Sequence, residues 1–167
     1  MNELDAALAK EVESLARALK ARGLMLAAAE SCTGGLIAAA CTSLSGSSDW
    51  FERGVVTYSN AAKTELLGVP AELIDQHGAV SAEVARAMAE GALARSNAQL
   101  AVAVTGIAGP TGGSPAKPVG TVWMAIAGTG RATRVELLQL QGDRASVRRQ
   151  TVERALQALN ATLAASA

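Results

Sequence analysis

Aromatic side chains are almost missing from this chain. One Tyr, one Phe and two Trp make up 2% of its 167 residues, although 50% are hydrophobic. A core must therefore be built from Ala, Val, Leu and Ile, small side chains that let helices lie close to a sheet. Histidine occurs once, at His77, and cysteine twice, at Cys32 and Cys41. That scarcity excludes a Cys/His zinc cluster. A Ser-His-Asp triad would have to recruit His77, so hydrolytic chemistry is expected to use another base. The two cysteines read as small buried residues on or near one helix, not as a structural disulfide. Charge of one sign is also lacking: Lys+Arg and Asp+Glu both total 15. Nothing suggests a broadly basic nucleic-acid binder. No apolar run is long enough to span a bilayer. The opening Met1-Asn2-Glu3-Leu4-Asp5 lacks the basic and apolar regions of a signal peptide. These absences lead to the expectation of a cytoplasmic protein that engages neither nucleic acid nor membrane. The length suits one domain over residues 1–167 with a proper core.

The most informative stretch that is present is Ala29-Glu30-Ser31-Cys32-Thr33-Gly34-Gly35. The apolar run Leu24–Ala29 leads into it, and a new apolar segment, Leu36 to Ala40, follows. That order reads as strand, tight turn, helix. A serine at such a junction lies at the carboxyl edge of a sheet, beside the free N–H groups of the next helix. A nucleophile and an anion-stabilising pocket can thus arise within a few residues. Ser31 as a plain helix N-cap is the competing local reading.

Elsewhere, Leu4, Leu8, Val12, Leu15 and Leu19 recur at helical spacing and Gly23 stops the helix. A helix over about Thr33–Ser43 should follow the turn. The polar loop Leu44–Asp49 is pinned by Trp50 and Phe51, and a strand is expected at Gly54–Ser59. Asn60 reads as the cap of a short helix, Ala61–Leu67, ending at Gly68. A helical turn over Ala71–Gln76 and a helix from Ser81 to about Ser96 come next. Leu100–Thr105 is an unbroken apolar run, typical of a strand covered on both faces. The Gly/Pro-rich stretch from Gly106 to Pro118 cannot propagate a helix or strand, and a loop this long suggests a task. Val119–Ala127 and Arg131–Gln141 read as a hairpin, and Asp143 can cap a last helix carrying Val152, Leu156, Leu159 and Leu163 inward. Strands separated by helices imply parallel pairing through right-handed crossovers, and the hairpin adds antiparallel strands. The fold class expected is α/β: a three-layer α/β/α sandwich with a mixed, mostly parallel central sheet.

Several motifs resemble the C-terminal domain family of the competence/damage-inducible protein CinA. They include the turn at Ala29–Gly35, Gly46-Ser47-Ser48, and Val56-Thr57-Tyr58-Ser59-Asn60-Ala61-Ala62-Lys63. They continue through Gly78-Ala79-Val80-Ser81, Thr105-Gly106-Ile107-Ala108-Gly109-Pro110, Lys117-Pro118-Val119-Gly120-Thr121-Val122 and Gly142-Asp143-Arg144. The likeness runs over nearly the whole chain, in order. It implies an amidohydrolase that converts nicotinamide mononucleotide and water to nicotinate mononucleotide and ammonia, without metal or cofactor. Longer members of the family carry an N-terminal domain resembling molybdopterin-binding proteins, so the expectation here is the stand-alone form. Because related proteins assemble and the apolar fraction is high, a homodimer is expected. A non-catalytic nucleotide-binding or regulatory module of the same type is the alternative.

Within that resemblance Ser31 is the nucleophile and Lys63 its base, a pair that works only if the lysine can be neutral. Tyr58 would orient Ser31 or relay a proton, or else be an ordinary boundary residue. Thr33, Gly34 and Gly35 would offer backbone N–H groups to the oxyanion. Glu30 would hold Lys63 or a ribose hydroxyl, or equally anchor the strand end. The loop with Thr105, Gly106, Gly112 and Gly113 would supply backbone donors to phosphate or ribose. Arg144 and Arg148 would add charge and bidentate bonds, or form a solvated helix face. Cys32 is a rival nucleophile, since a thiolate also attacks amides. A P-loop motif is absent from the sequence.

Overall fold

The computed structural model describes residues 5–166. Leu4 and the segment before it, on which the leader argument rests, lie outside the described residues. In chain order the elements are α1 (Ala6–Arg22), β1 (Leu26–Glu30), α2 (Leu36–Thr42), β2 (Phe51–Val56), α3 (Asn60–Leu67), α4 (Ala71–His77), α5 (Ala82–Ala94), β3 (Leu100–Gly106), β4 (Thr121–Gly128), β5 (Arg131–Gln139) and α6 (Arg144–Ala165). They form one five-stranded sheet, ordered β2-β1-β3-β4-β5, with helices on both faces. The α/β class is as expected. The parallel share is smaller: β1 pairs parallel with β2 and β3, whereas β3–β4 and β4–β5 are antiparallel. The late hairpin inserts β4 directly beside β3, so it takes half the pairings. Among the described residues no helix is long and apolar enough to cross a membrane.

Strand alternation sends two different sets of side chains to the two faces. Leu26, Val102, Val104, Val122, Met124 and Ile126 face α1, α2 and α6, where Leu8, Val12, Leu15, Leu19, Leu156 and Leu159 close the larger core. The opposite face is alanine: Ala27, Ala29, Ala101, Ala103, Ala125 and Ala127. Helix α5 lies on that carpet with Val84, Ala85, Met88, Ala89 and Ala92. Close approach replaces bulk on this side, which accounts for a core with so few rings. Helix α5 also lies close against the end of α3: a Cβ at Gly91 would come within 2.0 Å of the Leu67 carbonyl oxygen.

Local signals set most element ends. Asp5 caps α1 by accepting from Ala7 and Leu8 N–H, and Gly23 closes it in the left-handed region. Asp143 caps α6 through Ser146 N–H at 2.8 Å. Several boundaries differ from expectation. Strand β2 starts earlier, at Phe51, because Leu26 N–H donates to the Trp50 carbonyl at 2.8 Å and sets the register there. It ends at Val56, which frees Thr57–Ser59 to turn. Ser59, not Asn60, then caps α3 by accepting from Ala62 N–H at 3.0 Å. Helix α2 starts at Leu36, because Gly34 (φ 59°) and Gly35 (φ 102°) take left-handed conformations that helix cannot include. The sheet thus gathers one set of termini at one edge: the ends of β1, β2 and β3 and the starts of α2 and α3.

Candidate active site

Ser31 directly follows β1 and prolongs its pairing with β3, its N–H donating to the Val104 carbonyl at 3.1 Å. The chain then turns, and Gly34 N–H donates back to the Ser31 carbonyl at 3.1 Å. Glu30, fully buried, organises this turn. Its Oε2 accepts from Thr33 Oγ1 at 2.5 Å, Gly35 N–H at 3.1 Å and Ile37 N–H at 3.0 Å, while Oε1 accepts from Ala38 N–H at 2.8 Å. Four donors converge on one carboxyl group, so no oxygen is left for Lys63 or a ribose. Of the two tasks open to Glu30, it has the anchoring one: it is the buried cap of α2. Glu30→Gln puts an amide NH₂ against backbone N–H donors. We expect it to cost about 2–4 kcal/mol, because buried donors lose their acceptor, read as a lower urea midpoint with an unchanged slope.

This arrangement also revises the oxyanion donors. Gly34 and Gly35 N–H groups are consumed by the Ser31 carbonyl and by Glu30. Of the expected set only Thr33 keeps an N–H without an acceptor from another of the described residues, and Cys32 N–H joins it. The small residues at positions 34 and 35 serve the turn itself.

Lys63 sits in α3 with 1% exposure, among the largest buried side chains of the protein. Its Nζ lies 3.0 Å from Ser31 Oγ and donates to the Thr57 carbonyl at 2.8 Å. Burial pushes its amine below the usual lysine range; the neighbouring Cys32 thiol acts in the opposite direction. An uncharged amine beside a hydroxyl is what a general base needs. Burial also raises Cys32 to about 11, which leaves it a protonated thiol at neutral pH and a poor rival to Ser31.

Tyr58 makes no hydrogen bond to this pair. It is 60% exposed, and its hydroxyl accepts from Arg144 Nη2 at 2.9 Å. The Thr57 backbone, one residue earlier, orients Lys63 instead. Sequence reasoning passed over Thr57 because a β-branched residue at a strand end is unremarkable. Arg144 also donates through Nη1 to the Gly109 carbonyl at 2.9 Å, tying α6 to the glycine-rich loop. Arg148 donates to the carbonyls of Cys32 (3.2 Å) and Thr33 (3.1 Å), bracing the turn behind Ser31. Both arginines therefore stand at the site edge, each with part of its fork engaged. The buried Thr105 hydroxyl is spent on the Ala79 carbonyl at 2.9 Å, so it has a structural partner and not a free donor. Gly106 packs against Val122, where a Cβ would come within 2.6 Å of Cγ2. Gly113 packs on Val119 and Gly112 on Ile107, contacts internal to the loop.

Fold and site together define a class: α/β proteins with a buried serine–lysine pair at the carboxyl edge of a mixed sheet. The chain belongs to the CinA C-terminal domain family, whose model matches residues 8–163. It is 52% identical over 156 residues to the nicotinamide-nucleotide amidohydrolase PncC of Escherichia coli K12, covering 93% of this chain and 94% of that protein. It is 63% identical to the PncC of Pseudomonas putida over 131 residues, 78% and 81% of the two chains. Other relatives are longer: a CinA-like protein of Citrifermentans bemidjiense is 60% identical over 136 residues, 81% of this chain but 33% of that one. The chain thus spans about a third of the length of several curated relatives it matches. Among solved structures, a competence/damage-inducible protein from Agrobacterium tumefaciens superposes with a TM-score of 0.94 at 44% identity, over 96% of this chain and 98% of that one.

Proposed function

We propose that this chain is a nicotinamide-nucleotide amidohydrolase that hydrolyses the carboxamide of nicotinamide mononucleotide to nicotinate mononucleotide and ammonia. The observation that carries the reading is the buried Lys63 amine 3.0 Å from Ser31 Oγ. Ser31 attacks the carboxamide carbon and its proton passes to neutral Lys63, leaving a tetrahedral oxyanion beside the N–H groups of Cys32 and Thr33. Lys63 returns that proton to the nitrogen, the C–N bond breaks, and ammonia departs. Water then attacks the ester, giving a proton to Lys63, and the ester C–O bond breaks. Lys63 reprotonates Ser31, and the nicotinate carboxyl gives its proton to solvent and leaves ionised. The free N–H groups of Arg144 and Arg148 are the candidates for the substrate phosphate. In this reading the enzyme is a single cytoplasmic domain working as a homodimer, with no cofactor, nucleic acid or membrane partner.

The test is ammonia release from nicotinamide mononucleotide, nicotinamide riboside, nicotinamide and the dinucleotide, each with chelator present. The mononucleotide should be turned over, with nicotinate mononucleotide as the second product. No ammonia from folded protein, or tight binding of the nucleotide without turnover, would remove the reading.

A further inference from the structure

Among the described residues, two buried side-chain polar atoms have no hydrogen-bond partner: Trp50 Nε1 and Thr57 Oγ1. Trp50 belongs to the larger hydrophobic core. Thr57 is different. It is fully buried, and its own carbonyl is the group that accepts from Lys63 Nζ at 2.8 Å. Its backbone is pinned as well, with Thr57 N–H donating to the Glu30 carbonyl at 2.8 Å. The orphan hydroxyl is thus separated from the Lys63 acceptor only by the atoms of one residue. An unsatisfied buried hydroxyl costs stability, and valine of the same shape would avoid the cost. Such a group calls for an explanation in the working cycle.

The donor count of lysine supplies one. A neutral amine has two N–H donors and one lone pair; to act as base it turns the lone pair to the Ser31 hydroxyl, keeps one N–H on the Thr57 carbonyl, and holds its second N–H, a weak neutral donor, in reserve. The ammonium has three donors and no lone pair. Ser31 Oγ and the Thr57 carbonyl account for two of them. We propose that Thr57 is a positioning residue whose side-chain hydroxyl accepts the third N–H of Lys63 while that side chain carries the serine proton. The hydroxyl has no partner in the resting state, when the spare N–H is neutral and weak, and takes that N–H once it is charged and the ammonium stands beside the oxyanion. This deepens the serine–lysine reading and rests on it.

The titratable groups near Lys63 leave little to compete. From the turn after β1, Cys32 faces it as a neutral thiol. Beyond that thiol, Glu30 is closed by its four donors and Arg148 is held on two carbonyls. The titratable and charged residues of α4 and α5 (Glu72, Asp75, His77, Glu83, Arg86 and Glu90) are exposed, as is Glu65 on α3 itself. An acceptor for the ammonium stabilises the protonated form. Removing it makes Lys63 give up its proton more readily, so activity should persist to lower pH while each turnover slows.

The experiment compares the full-length chain with Thr57→Val and Thr57→Ser. Melting temperature, ammonia release from nicotinamide mononucleotide across pH, and the pH dependence of Ser31 labelling by a fluorophosphonate are measured on each. Labelling forms the Oγ–P bond, breaks P–F and sends the serine proton to Lys63, so it reports the base without the natural substrate. Thr57→Val should melt about 2–4 °C higher, lose about tenfold in kcat with KM little changed, and shift the acidic limb of both profiles to lower pH. Thr57→Ser should restore rate and limb. If valine prevents folding, Thr57→Ala removes the same hydroxyl. Unchanged kcat and unshifted limbs in the hydroxyl-free variant would overturn the inference, leaving Thr57 a packing residue. Shifted labelling limbs in a chain that releases no ammonia from the mononucleotide would sustain it and remove the substrate reading instead.

Discussion

Ser31→Ala should abolish ammonia release, with kcat falling by about 10⁴-fold or more, the scale seen when a hydrolase loses its nucleophile. The fold should survive. The bonds that hold position 31 use its backbone: its N–H to the Val104 carbonyl and its carbonyl from Gly34 N–H. Lys63 keeps its bond to the Thr57 carbonyl, so the amine does not lose every partner. The matched control is Cys32→Ala, one residue along the same turn. Its thiol is neutral at working pH because burial raises it to about 11, so turnover should stay within about threefold of the wild type. Ammonia release with mass spectrometry of the trapped acyl-enzyme checks both variants. The reverse pattern, an active serine variant and a dead cysteine variant, would move the nucleophile by one residue and leave Lys63 facing an ornamental hydroxyl.

The parts of this molecule that are legible in the sequence are those set by neighbours in the chain. The strand–turn–helix at Ser31, the cap at Asp143 and the stop at Gly23 all depend on residues within a turn of each other. So does the placement of Lys63 in a helix just past β2. What is hidden depends on contacts between distant segments. The start of β2 is set by Leu26 N–H reaching the Trp50 carbonyl, a pairing no local propensity encodes. Arg148 braces Cys32 and Thr33 from across the molecule, which turns a supposed substrate arginine into a structural one as well. Glu30 is an intermediate case. A carboxylate followed by glycines can serve a ligand or a helix start, and only its four observed donors decide between them. Tyr58 follows the strand close to Lys63 in the chain, yet its ring is on the surface and the backbone one residue before it does the orienting. The lesson is physical: a buried polar group is assigned by its partners, and partners are a property of the fold.

Lys63→Met should be nearly as severe for catalysis and opposite in sign for one component of stability. Methionine keeps most of the buried stem and deletes the amine. Loss of a general base costs about 10²–10⁴ in rate, and because Lys63 contacts Ser31 rather than a binding group, kcat should fall with KM little changed. The stability argument follows from the lowered lysine value. In the unfolded chain this amine titrates near the ordinary 10.5, and in the folded chain below it. Between those two values the unfolded state binds more protons, so wild-type stability rises as pH climbs through that window. Below the folded value both states are charged and the folded state bears the whole desolvation cost. Above 10.5 neither does. The methionine variant lacks this dependence, so its stability relative to wild type should be most favourable at low pH and decline as pH rises. Wild-type activity should fall on acidification, when Lys63 takes up its proton. Lys63→Arg separates a base from a charge clamp. Arginine stays cationic at any working pH, so it should be as inactive as methionine if Lys63 moves a proton. It should retain most turnover if a fixed positive charge were all that the site requires. Parallel pH–stability curves for wild type and Lys63→Met, or an active arginine variant, would contradict a neutral lysine beside Ser31.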